Sequence, residues 1–64
     1  MHVEFLILNR DFQDEIVVIQ VGKTVRENTI KANTSEVARY RYKPGDRVTV
    51  TVKSNGQVIL DEQL

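Results

Sequence analysis

The sequence predicts an all-β domain: a small antiparallel β-sandwich or open barrel of five to six strands built from hairpins. Three observations carry this. Residues Arg47 to Lys53 alternate strictly, with Val48, Val50 and Val52 on one face and Thr49 and Thr51 on the other. Two short runs, Val3 to Leu8 and Ile16 to Val21, are apolar on both alternating faces, apart from polar exceptions such as Gln20. Turn-forming residues punctuate the chain at Gly22-Lys23, Asn33-Thr34-Ser35, Pro44-Gly45 and Asn55-Gly56.

Taken in order, Val3 to Leu8 and Ile16 to Val21 read as a hairpin joined by the polar loop 9–14, which holds the single aromatic Phe12. Gly22-Lys23 turns into a more polar strand, roughly Thr24 to Ala32, whose weak alternation suits a sheet edge. After Asn33 two readings compete. Asn33 with Glu36 three residues on resembles a capping box, which predicts a short helical turn near 35–39. Against it, Ala38, Tyr40 and Tyr42 alternate with Arg39 and Arg41 at strand period. Pro44 drives Lys43 to an extended conformation and opens a type II turn over Lys43-Pro44-Gly45-Asp46. The last hairpin closes through Ser54-Asn55-Gly56. A three-residue loop there pairs Val52 with Val58, Val50 with Leu60 and Thr49 with Asp61, which keeps Asp61 out of the core.

The 64 residues hold one domain, 1–64, with no repeat, linker or low-complexity tract. Size scaling buries about 60% of the unfolded surface. If about 60% of that area is apolar, burial contributes about 97 kcal/mol. Ordering the chain costs about 96 kcal/mol. A chain so balanced usually adds a disulfide, a metal or a partner. There is no cysteine, which excludes disulfides and thiolate metal sites and fits a reducing compartment, the cytoplasm. No signal peptide or membrane span is readable. Net charge is zero but unevenly spread. Residues 1–22 carry Glu4, Asp11, Asp14 and Glu15 against Arg10, and residues 39–53 carry Arg39, Arg41, Lys43, Arg47 and Lys53 against Asp46.

Enzyme chemistry has little to work with, so the chain reads as a non-enzyme without cofactor or metal. The only histidine is His2, there is no thiol, and Gly22, Gly45 and Gly56 stand alone rather than forming a phosphate loop. Asp11, Asp14 and Glu15 lack the spacing of a calcium loop or an acid–base pair. The densest constellation is Arg39-Tyr40-Arg41-Tyr42-Lys43 followed by Arg47, a candidate binding segment. Alternation separates its cations from its tyrosines, whereas a single-strand binder wants both on one surface.

Lys43-Pro44-Gly45-Asp46-Arg47-Val48-Thr49-Val50, with Asn55-Gly56 behind it, resembles the C-terminal half of AbrB-type swapped-hairpin DNA-binding domains over about a third of the chain. That family carries a Thr-Ile-Pro strand end and a short helix before the Gly-Asp turn; here Lys31 follows Thr29-Ile30. The resemblance implies DNA binding.

Two functions are therefore expected. The first is a protein-interaction module whose partner is another protein or a second copy, most simply a homodimer. Its surface would be Phe5, Leu6, Leu8, Ile16, Val17 and Ile19, because one small sandwich covers only one face of each sheet. The alternative is a small nucleic-acid binder using the basic 39–47 segment.

Overall fold

The computed structural model describes all 64 residues and contains six strands and no helix. They are β1 (His2–Asn9), β2 (Glu15–Val21), β3 (Thr24–Ile30), β4 (Thr34–Arg41), β5 (Arg47–Val52) and β6 (Val58–Gln63). The strands form two antiparallel sheets, β1-β4 and β3-β2-β5-β6, arranged as a small sandwich. No helix is long and apolar enough to cross a membrane.

Period-two patterning decides what lies between the sheets. Val17, Ile19 and Val21 from β2, Val48 and Val50 from β5, Ile30 from β3 and Ile7 from β1 are buried together. Val3, Phe5, Ala38, Tyr40, Tyr42, Leu60 and Leu64 pack around them. Phe5 and Tyr40 stack with ring centroids 6.2 Å apart.

Two of the expected turns close as the residues dictate. Gly22 takes φ 58° at the first central position of the β2–β3 hairpin, the signature of a type II′ turn. A Cβ there would also lie 2.9 Å from the Asp46 carboxylate, which would have to shift, in addition to the strain of φ 58°. The Pro44-Gly45 turn closes with Asp46 N–H donating to Lys43 O at 3.0 Å.

Three expectations are corrected. First, β1 and β2 are not a hairpin. They lie in different sheets, and β1 pairs with β4, with Leu6 opposite Val37 and Glu4 opposite Arg39. The 10–14 loop is a crossover held by side chains. Asn9 Nδ2 donates to Gln13 O at 2.8 Å and to Ile30 O at 2.9 Å, and Asn9 Oδ1 accepts from Asp11 N–H at 3.0 Å. Asp14 Oδ1 accepts from Ala32 N–H at 2.9 Å.

Second, no helical turn forms near 35–39, because Asn33 serves a turn instead of a cap. It takes φ 55° in a turn closed by Thr34 N–H on Lys31 O, a left-handed conformation that asparagine tolerates. β4 is then one continuous strand, and the short helix of the AbrB-type pattern is missing. The resemblance is confined to the 43–46 turn and the hairpin after it.

Third, the β5–β6 loop is one residue longer than expected. Val52 N–H donates to Gln57 O and Gly56 N–H donates to Val52 O, both at 2.8 Å, so Lys53–Gly56 form the loop. Ile59 is then the extra residue of a bulge that restores Val50 opposite Leu60 and Thr49 opposite Asp61.

Candidate functional site

The β1–β4 ribbon carries one exposed apolar group; Ile16, Val25 and Val58, also exposed, lie on the four-stranded sheet. The ribbon's inner face is spent on the core through Val3, Phe5, Ala38 and Tyr40. The outer face presents Leu6, Leu8 and Val37, which are 58%, 55% and 64% exposed. Leu6 and Val37 are directly opposite, and Leu8 follows on the same face of β1. Beside this apolar group the same face sets Glu4 against Arg39 and His2 against Arg41.

The expected interaction surface is thus only partly outside. Leu6 and Leu8 are exposed. Val17 and Ile19 are buried in the core and Phe5 stacks on Tyr40, so these three are unavailable to a partner. Ile16 is partly exposed, but on the outer face of the other sheet. Runs that looked apolar on both faces turn out to have one face inside the sandwich. Val37, the residue that completes the exposed group, was not singled out from sequence, because its pairing with Leu6 spans 31 positions and leaves no local signal.

The basic segment also divides. Tyr40 and Tyr42 point inward and are half-buried, and Asn28 Nδ2 donates to the Tyr40 hydroxyl at 3.2 Å. Arg39 and Arg41 lie on the outer face of β4 and form no ion pair within the chain. Arg47 sits on the outer face of the four-stranded sheet, where its Nε and Nη2 donate to Asp61 at 2.6 and 3.0 Å. That hydrogen bond holds the Asp61 carboxyl below its usual range and the Arg47 guanidinium above its own. Lys43 is exposed, and its backbone N–H donates to Asp46 Oδ2 at 2.9 Å. The six residues Arg39 to Lys43 and Arg47 are therefore not one surface.

A smaller cationic group forms at the ribbon's end. His2 has its pKa lowered by desolvation first, then by Arg39, the N-terminal amine and Arg41. The acidic residues of the first loop and the start of β2 are engaged separately: Asp11 Oδ1 accepts from Phe12 N–H, Asp14 from Ala32 N–H, and Glu15 Oε2 accepts from the Ser54 hydroxyl at 3.3 Å. No three histidine, aspartate or glutamate side chains converge on one point. Comparison with protein-family models, curated proteins and solved structures finds no match.

Proposed function

We propose that the protein is a non-enzymatic interaction module that self-associates through the outer face of the β1–β4 ribbon. The observation that carries this reading is the uncovered group Leu6, Leu8 and Val37 on a face whose Glu4–Arg39 pair is self-complementary. Consider a two-fold axis running along the ribbon between its strands. It lays β1 of one copy over β4 of the other at the same height. Leu6 then meets the second copy's Val37, Glu4 meets Arg39, and each contact occurs twice. No like charges are forced together at Glu4 or Arg39.

Magnitudes set the strength. Burying three side chains already part-covered contributes about 1 to 1.5 kcal/mol each, or about 6 to 9 kcal/mol across the pair. Association costs about 4 to 15 kcal/mol in lost freedom. The ribbon face is about 27 by 10 Å, so it buries less than the about 800 Å² per partner of a standard interface. At the favourable end of both ranges the balance is about −5 kcal/mol, a reversible dimer with a dissociation constant of about 0.2 mM.

Sedimentation equilibrium from 10 µM to 1 mM tests this. The expected result is a shift from 7.4 kDa towards twice that mass, abolished by Leu6→Lys with the far-UV spectrum unchanged. A monomer throughout the range defeats the reading, as does a dimer that Leu6→Lys leaves intact.

A further inference from the structure

A second surface lies beside the ribbon, where the edges of β3 and β4 flank a groove of about 570 Å³. Its lining is asymmetric. β4 contributes six consecutive residues, 36–41, whereas β3 contributes only alternate ones, Thr24, Arg26, Asn28 and Ile30. Consecutive residues mean that the groove runs along the edge of β4, where both side-chain phases and the backbone between them are in reach. Alternate residues mean that it sees only the inward face of β3. The groove thus has the form of a vacant strand position next to β4, floored by β3.

Both elements prepare that position chemically. β4 is an edge strand of a two-stranded sheet, so every second N–H and C=O along it points away from β1 and lacks a ladder partner. On β3, Arg26 and Asn28 stand where the inward face of a fully covered strand would carry apolar residues, as Ile30 does. Arg26, Arg39 and Arg41 line the groove against the single carboxylate of Glu36, and none of the three arginines forms an ion pair.

We propose that this groove accepts an acidic extended segment of a partner protein, which adds to the β1–β4 sheet as a third strand alongside β4. Main-chain hydrogen bonds to β4 supply the register, and carboxylates on the segment's two faces reach Arg26 on one side and Arg39 and Arg41 on the other. A second copy is the poorer occupant. Its own β4 would bring Arg39 and Arg41 towards the same arginines, and like charges across a strand pair are destabilising. Nucleic acid is also less suited, because Tyr40, the one aromatic lining the groove, is half-buried and already stacked on Phe5, which leaves no row of aromatic faces for successive bases.

The probe is a fluorescein-labelled nine-residue peptide with Glu at every second position and Val or Thr between, titrated in 150 mM salt at 5 µM protein, where the ribbon dimer is sparse. Binding is expected, with at least tenfold weakening in Arg26→Glu and none detectable for the same peptide carrying Lys in place of Glu. N-methylating one alternate set of peptide amides should abolish binding, and N-methylating the other set should not. Arg26 lies on the other sheet from the ribbon face, so Arg26→Glu should leave sedimentation unchanged and the two readings fail separately. Equal binding of the Lys peptide, or indifference to both N-methylation sets, overturns strand addition. Tighter binding of a single-stranded oligonucleotide than of the acidic peptide overturns the choice of partner.

Discussion

Asn9 is the one polar side chain buried in this molecule, and it connects three segments. Its amide ties the end of β1 to the end of β3 through Ile30 O and to the crossover loop through Gln13 O, while its oxygen takes Asp11 N–H. Truncation removes all three bonds and leaves the Ile30 carbonyl with only its ladder partner on β2. Asn9→Ala is therefore expected to cost about 2 to 3 kcal/mol, which for a domain this small lowers the melting temperature by about 10 to 20 °C. Thermal denaturation followed by circular dichroism reads it directly, and a shift of only a few degrees would mean the loop is held by other contacts. Asp61 is the residue with a pH signature. Its folded pKa is depressed by the Arg47 hydrogen bond, so its contribution is fully present above the unfolded value of about 3.9 and is lost as pH falls through the folded value. The pair is exposed, so the effect is modest. The expected observation is a melting-temperature gap between wild type and Asp61→Asn that is present at pH 6 and closes below about pH 4. A gap independent of pH would contradict it.

Among the elements, what could be read from sequence was what local chemistry encodes. Strict alternation placed β5, glycine and proline placed the turns at Gly22 and Pro44, and the polarity of β3 marked an edge strand. Strand pairing across the chain could not be read, because β1 and β4 are separated by two strands of the other sheet and nothing in either sequence names its partner. Proximity along the chain favoured a β1–β2 hairpin, yet the Asn9 bonds and the apolar inner faces of both strands are better satisfied with one in each layer. The interaction surface inherited the same error. Apolar content on two faces was visible, but which face remained outside depended on the pairing. The pairing itself is testable. Leu8 and Ser35 are directly opposite on the outer face, close enough for a disulfide. The double variant Leu8→Cys, Ser35→Cys is expected to oxidise within one chain at low micromolar concentration and to gain about 2 to 4 kcal/mol. Mass spectrometry of peptides from the oxidised protein decides it, and free thiols under those conditions would rule out the register.

At the scale of the whole molecule, the chain encloses less than its size would allow. Its accessible surface is 4727 Å², against about 4,200 Å² expected of a compact monomer of this mass. Its radius of gyration is 11.7 Å, against about 10.7 Å by the same kind of scaling. The extents of 37 × 20 × 15 Å describe an elongated sandwich in which a two-stranded sheet lies against a four-stranded one. Part of the exposed surface is the outer ribbon face, where Leu6, Leu8 and Val37 are each more than half exposed. A two-stranded sheet is the element least able to stand uncovered, and its apolar outer face supports a second copy as the cover. Isotope-filtered NOE spectroscopy on a mixture of labelled and unlabelled protein near 1 mM tests this most directly, because the filter removes the Leu6–Val37 contact within each chain. Intermolecular cross-peaks between Leu6 and Val37 methyl groups are expected; a dimer whose only intermolecular cross-peaks involve Ile16, Phe12 or Ile59 would contradict a ribbon-face interface.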